Sequence, residues 1–283
     1  RCTIVSPSRM ATEFDPAANS SQSRSEPTTT AAFGRRWNLT RLWRGLAGTA
    51  GFLAVWWVAG GQVPSYLLPT PDDVAGALWT ELVTGQLFVH LGESLLHYVP
   101  GVVVGVVAGG VLGVGMGWSQ VVDDVLTPVV RVLRPIPPLA WIVFAIIWLG
   151  LGHSGAAFIV FIGALWITFY NAYEGVENAS RDLMEVAATL GVDSDRRLLW
   201  RVVIPDALPE ILTGVRTSVG QCWMMVIAAE LFGAPGVGYE IITSANNLAM
   251  ARSIAYMLTI SAVFLLSDWA VRRLRAYLLD WQP

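Results

Sequence analysis

Six apolar runs, each close to the ~20 residues needed to cross a ~30 Å hydrocarbon core, occupy residues 45–61, 95–117, 125–150, 155–174, 207–232 and 254–271. Runs of that length predict an all-α membrane protein with about six transmembrane helices. Composition agrees: 54% of the 283 residues are hydrophobic and 14% charged, against about 25% charged in soluble domains. Mean hydropathy is +0.54. Pro135, Pro137 and Pro138 interrupt the third run. Proline removes a helical donor and clashes with the preceding turn, so a helix, a break and a second helix are expected there. Residues 62–93 and 233–253 read as connections with short helices, and 175–206 as a longer polar connection.

Arginine placement sets the orientation. Arg35, Arg36, Arg41 and Arg44 precede the first run, and Arg131 and Arg134 lie near the start of the third. Arg181, Arg196, Arg197 and Arg201 precede the fifth, and Arg272, Arg273 and Arg275 follow the sixth. Six spans with both termini cytoplasmic put all four clusters on one side, leaving Arg252 opposite. Trp56, Trp57 and Trp118 suit interfacial anchors. Gly101, Gly105, Gly109, Gly113 and Gly117 recur every four residues in the second run. Each adjacent pair is a G-x-x-x-G, which lets a neighbouring helix approach backbone to backbone.

Several function classes are disfavoured. The net charge of −3 gives no basic surface for nucleic acid. All 18 basic residues are Arg, so a Walker A lysine and a Schiff-base lysine are both missing. If ATP is used, another chain must bind it. No G-x-S-x-G occurs, and His90, His97 and His153 lack metal-ligand spacing. Neither a catalytic residue nor a metal site is expected. Cys2 and Cys222 lie far apart, one in a polar tail and one in an apolar run, which argues against a disulfide. Residues 1–34 are rich in Ser, Thr, Ala and Pro and should be disordered. No apolar core precedes residue 45, so a cleaved signal peptide is not expected, and Met10 is a candidate start.

The connection at 178–205 is the most informative segment. Ser180 suits an N-cap and Asp182 a first helical turn. Leu183, Ala187 and Leu190 recur at helical spacing, and Gly191 fits a stop. Ala187 and Ala188 leave that face shallow for another surface. A second short helix is expected after Asp193, presenting Leu198, Leu199 and Val202. A short amphipathic helix where a simple turn would serve suggests a docking element.

Glu185-Val186-Ala187, Gly191 and Val202-x-Ile204-Pro205 resemble the Glu-Ala-Ala loop of ABC importer permeases. Val186 stands where that motif has Ala, and one additional residue lies between Gly191 and Pro205. The addition bears on the register of the second short helix rather than on the identity of the loop. Flanking pieces resemble the sulfonate/taurine/nitrate branch. They are Leu68-Pro69-x-Pro71, Arg134-x-x-Pro137, Gly150-x-Gly152, Pro209, Gly214-Val215-Arg216, Trp223, Ala229-Glu230-Leu231 and Gly236-x-Gly238. The likeness runs from about residue 45 to 275.

The resemblance implies a type I importer permease domain over 35–283 in the plasma (inner) membrane. A second permease copy, a cytoplasmic ABC ATPase and an extracytoplasmic substrate-binding protein would complete it. No cofactor would sit in this chain, since ATP belongs to the partner ATPase. Glu185, Ala187, Ala188, Gly191 and Pro205 would form the coupling site, with Glu185 a charged anchor and Gly191 the turn. Sulfonates, taurine, nitrate, bicarbonate and vitamin precursors are the implied solutes.

Ionisable groups at membrane depth are costly and are functional candidates. Arg216, Trp223 and Glu230 are candidates for the pathway, although Gln221, Trp223 and Glu230 share no single helical face. Arg216 has a structural alternative, pairing with Asp268. An ion-coupled secondary transporter or channel is the main rival. It would show paired broken helices, and only the third run is clearly broken. An intramembrane enzyme lacks a nucleophile or metal constellation.

Overall fold

A computed structural model describes residues 39–192 and 194–278, without the side chains of residues 39–42, 181, 182, 188 and 278. The polar segment 1–34, including Cys2 and Met10, lies outside the described residues, as do Arg35 and Arg36. The chain divides into two units between Thr49 and Ala50, and the bundle forms within the second. Among the described residues the regular elements are all helices, in the order α1 (Leu39–Gly60), α2 (Pro71–Val83), α3 (Gln86–Trp118), α4 (Gln120–Leu133), a 3₁₀ turn (Pro138–Trp141), α5 (Ile142–Leu149) and α6 (His153–Glu177). There follow α7 (Arg181–Thr189), α8 (Asp195–Leu198), a π turn (Leu199–Val203), α9 (Ile204–Leu231), α10 (Val237–Asn246) and α11 (Met250–Leu278).

The centre is a stack of α3 on α6 and α6 on α9. Glycines set the first contact. A Cβ built on Gly101 would stand 2.7 Å from the Ala157 carbonyl oxygen, one on Gly105 2.6 Å from Ala164 Cβ, and one on Gly113 2.5 Å from the Phe169 carbonyl oxygen. Gly109 meets the Leu165 carbonyl closer still, and Gly117 meets Val176 Cβ at 2.9 Å. No real side chain fits such gaps, so the two backbones touch along the row.

Beside that seam, Tyr98, Val102, Val160, Ala164, Cys222, Trp223 and Val226 form a buried cluster of α3, α6 and α9 side chains. Tyr98 stacks on Trp223 with ring centroids 4.1 Å apart and donates to the Val219 carbonyl at 2.7 Å. The Trp223 indole N–H donates to Ser267 Oγ at 3.1 Å, which ties α11 to the stack.

The helix boundaries follow local chemistry. Thr70 and Asp73 form a capping box at the start of α2, with Pro71 as its first residue, where a missing N–H costs nothing. Ser119 alone separates α3 from α4 and caps α4 through Val122 N–H. The proline cluster ends α4, and α4 and the 3₁₀–α5 segment are bent by 83°. That is the helix, break and helix anticipated from Pro135, Pro137 and Pro138.

The apolar runs and the helices differ in two respects. First, α3 begins at Gln86, well before the run at 95, and its 33 residues are longer than a bilayer core requires. Its first turns carry Gln86, His90 and Glu93, which apolarity alone does not reveal. Second, α3, α6 and α11 are long and apolar enough to cross a membrane, and α4 with α5 adds a fourth only as one bent span. The other two runs fall on α1 and α9, helices of 22 and 28 residues. Arg41 and Arg44 dilute the first, and Asp206, Glu210, Arg216 and Glu230 the second.

The glycine row makes a sharp prediction. Gly109→Val forces side-chain volume into the Leu165 backbone, whereas Gly115, with nothing within 4 Å of its Cβ position, accepts the same change. Overpacking costs about 1–3 kcal/mol. Thermal unfolding in detergent should therefore show a lowered midpoint for Gly109→Val and a nearly unchanged one for Gly115→Val.

Candidate functional site

The loop between α6 and α9 is tied at its base. Ala179, Val176, Val203 and Ala207 are buried together, with Met184 and Leu199 packed against them. The Ser180 backbone N–H donates to Asp206 Oδ2 at 2.9 Å, joining the entry of α7 to the first turn of α9. Ser180 Oγ in turn accepts from Leu183 N–H at 3.5 Å, a long cap contact. At the other end of α7, Gly191 has φ +84°, a left-handed conformation that a Cβ disfavours. The Val192 N–H reaches the Ala187 carbonyl at 3.0 Å. This six-to-one bond across a left-handed glycine is that of a Schellman stop.

The faces of α7 differ from the expectation. Ala187 is buried against the chain itself, so it cannot offer a shallow outer face. The side chain of Ala188 lies outside the described residues. The outward stripe is instead Leu183, Val186 and Leu190, at 46%, 54% and 78% exposure, with Glu185 exposed beside it. Met184 packs against the base cluster, and Ala187, three residues on and so on the same helical face, is buried. Apolar periodicity identifies a helix but cannot say which of two apolar sides the chain covers.

The second short helix is likewise not separate. α8 starts at Asp195 and passes through the π turn at Leu199–Val203 directly into α9. A π turn accommodates one more residue than an α-helical turn. It falls within the stretch between Gly191 and Pro205, where this chain carries one residue more than the motif it resembles. Pro205, exposed, sits in the first turn of α9, where its lack of an N–H is tolerated.

The pathway candidates fall into two groups. Arg216 is 37% exposed and its Nε donates to Asp268 Oδ1 at 3.0 Å, while Asp268 Oδ2 lies 2.8 Å from Arg272 Nη1. This is the structural pairing weighed for it above. Trp223 is 2% exposed and Glu230 is fully buried, so Glu230 presents no group to open space. Trp223 only borders a cavity between α9 and α11.

Glu230 belongs instead to an interior polar cluster. His97 Nε2 lies 2.8 Å from Glu230 Oε1, and His97 Nδ1 lies 3.2 Å from His153 Nδ1. Glu230 Oε2 accepts the Gly238 N–H at 2.6 Å, and Ser94 Oγ accepts the Val237 N–H at 3.0 Å. A Cβ on Gly236 would collide with the Glu230 carboxylate, and one on Gly238 would stand 2.8 Å from Glu230 Cβ. Ala229-Glu230-Leu231 and Gly236-x-Gly238, separate pieces in the sequence, are thus one unit: a buried carboxylate and the glycines that let α10's first turn close on it. Sequence reading missed His97 and His153 in this role because they lie outside any local spacing rule.

Comparisons with known proteins fit this architecture. The family described as binding-protein-dependent transport system inner membrane component matches residues 101–278. The taurine transport system permease protein TauC of Escherichia coli is 33% identical over 255 residues, covering 87% of this chain and 92% of that protein. The bicarbonate transport system permease protein CmpB of Synechococcus elongatus is 32% identical over 251 residues, covering 83% and 88%. A solved inward-facing structure of the MetNI methionine ABC transporter superposes with a TM-score of 0.57 at 18% identity, over 69% of this chain and 96% of that one. The last likeness shows fold alone. With well over half the chain matched by one family, and relatives of this identity matched over nearly their whole length, the chain belongs to the binding-protein-dependent inner membrane components, the permeases of ABC transporters, and has the type I importer fold.

Proposed function

We propose that this chain, with a second copy of itself, forms the membrane pathway of an ATP-driven importer and takes its drive from a separate ATPase that grips α7. The observation that carries this reading is the outward stripe Leu183, Val186 and Leu190 with Glu185 beside it, on a helix whose base is bonded to α9 through Ser180 and Asp206. A partner holding that stripe would move α7, and the Asp206 bond and the continuous α8–α9 run would carry the movement into the bundle. Glu185 is the charged anchor, Gly191 is the stop, and Pro205 opens the driven helix. Ala187 holds α7 to the chain from the inside.

In this reading both termini and the 178–205 loop are cytoplasmic, as the arginine distribution favours, and the membrane is the plasma (inner) membrane. The solute is small and anionic, or carries nitrogen or sulfur, of the taurine, sulfonate, nitrate or bicarbonate kind. The taurine and bicarbonate permeases among its relatives support that class. An extracytoplasmic binding protein delivers the solute, and no cofactor resides in this chain. Catalysis of ATP hydrolysis belongs to the partner.

Two outcomes test it. Co-purification with the ATPase subunit should succeed for the wild-type chain and fall about tenfold, roughly 1.4 kcal/mol, for Glu185→Arg. No association in either case, together with solute flux driven by an ion gradient alone, would replace this reading with that of a secondary transporter. Asp206→Ala should leave the ATPase bound while lowering solute moved per ATP. A hydrogen bond to a charged acceptor contributes about 1.5–3 kcal/mol, and its loss loosens α7 from α9. Transport and ATPase assays on one proteoliposome preparation separate the two effects.

A further inference from the structure

Two cavities open side by side among α3, α4 and α6. One, of about 240 Å³, is walled by apolar side chains including Leu112, Met116, Leu126, Leu133 and Trp166. The other, of about 200 Å³, has Asp123, Thr127, Arg131, Arg134, Tyr170 and Tyr173 on its walls. Both include Met116, Val130 and Phe169, so the polar chamber adjoins the apolar one and together they make a single amphipathic slot.

The polar chamber has an excess of positive charge. The Arg134 guanidinium carbon lies 3.6 Å from the centre of the Tyr170 ring, a stacking that leaves the fork's edge N–H groups able to donate. The described arginine ion pairs are those of Arg216, Arg252 and Arg272, and neither Arg131 nor Arg134 is among them. Asp123 is the one carboxylate on the wall, and its Oδ1 accepts the Thr127 hydroxyl at 2.9 Å. Two guanidiniums therefore face one carboxylate.

The apolar chamber shows a complementary signature. Leu112, Leu126, Leu133, Leu165 and Trp166 give it a hydrocarbon wall. On the outside of α4, Val121, Val125 and Val132 are apolar at 66–73% exposure, the face that such a helix turns to acyl chains. An occupant would therefore have hydrocarbon beside it and cations at one end.

We propose that this slot binds an anionic membrane phospholipid, with an acyl chain in the Leu112–Trp166 chamber and the headgroup phosphate against Arg131, Arg134 and the tyrosine hydroxyls. Basic pockets between membrane helices recognise anionic headgroups by this combination of charge and adjacent hydrocarbon. Tyr170 and Tyr173 lie in the last turns of α6, immediately before the segment that leads into α7. The lipid would sit beside the base of the loop.

The test is lipid titration of the purified full-length chain, read by native mass spectrometry. Dioleoylphosphatidylglycerol should bind about tenfold more tightly than dioleoylphosphatidylcholine, because the two arginines attract the anionic headgroup. Arg131→Ala with Arg134→Ala should cut that preference to about twofold, whereas the paired Lys variants should keep most of it. Leu126→Trp, which fills the apolar chamber, should weaken both lipids alike, and Arg273→Ala should change neither. Circular dichroism of each variant guards against misfolding, and both arginines are exposed. Equal binding of the two lipids by wild type, or a preference that survives the double Ala change, overturns the proposal. So does uptake of octanesulfonate by the slot without phosphatidylglycerol binding, which would make it a solute subsite.

Discussion

Everything in the bundle is referred to the line along which α3 and α6 touch without side chains between them. Glycine in a helix interior costs roughly 0.5–1 kcal/mol relative to alanine, and α3 carries five in register. In a membrane, helices gain little from apolar burial, because lipid is as apolar as the partner. Close packing is what remains. Gly101 to Gly117 bring α3 onto the ridge of α6 formed by Val160, Ala164, Phe169, Ala172 and Val176. That approach sets how deeply Tyr98 can reach under α9 to stack on Trp223. It also places His97, one residue before Tyr98, opposite Glu230.

Polar bonds then hold what van der Waals contact does not. Glu230, with no exposure, would be unsustainable alone at that depth, and His97 and the Gly238 N–H supply its partners. A second group joins α2, α10 and α11: Arg252 Nε lies 2.8 Å from Glu81 Oε1, Arg252 Nη2 lies 3.4 Å from Glu240 Oε2, and the Tyr256 hydroxyl donates to Glu81 Oε2 at 2.6 Å. Arg252 was the one arginine left on the far side by the charge count. It serves there as the cation for two carboxylates on neighbouring helices.

Much of the fold was legible because membrane helices announce themselves by length and apolarity, and breaks by proline. The glycine spacing pointed to a close helix contact without naming α6 as its partner. The loop was legible as a short helix between Ser180 and Gly191, since caps and stops are local chemistry. Partners distant in sequence were not. Glu230 and His97 are 133 residues apart, and no periodicity links them, so Glu230 read as a pathway group when it is an interior one. Ala187 was misplaced for a related reason: small residues suit a docked surface and a buried one equally, and only the folded chain, which leaves Ala187 buried, decides between them. Arg216 was the intermediate case, its partner Asp268 already nameable because both fell at membrane depth near helix ends of the same side.

The π turn at Leu199–Val203 bears directly on how a loop can drive a bundle. A hinge of free residues between α8 and α9 would absorb a displacement of α7 in its own dihedral angles. A wide turn inside an unbroken helix keeps the backbone hydrogen-bonded while admitting the additional residue, so the stretch from Asp195 to Leu231 stays mechanically continuous. Buried Val203 and Ala207 anchor that stretch against Val176 at the end of α6, and Asp206 fastens the α7 entry to it. If, as proposed, an ATPase grips Leu183, Val186 and Leu190, its pull would reach α6 and α9 together. Of these, α9 carries both Arg216 and Trp223.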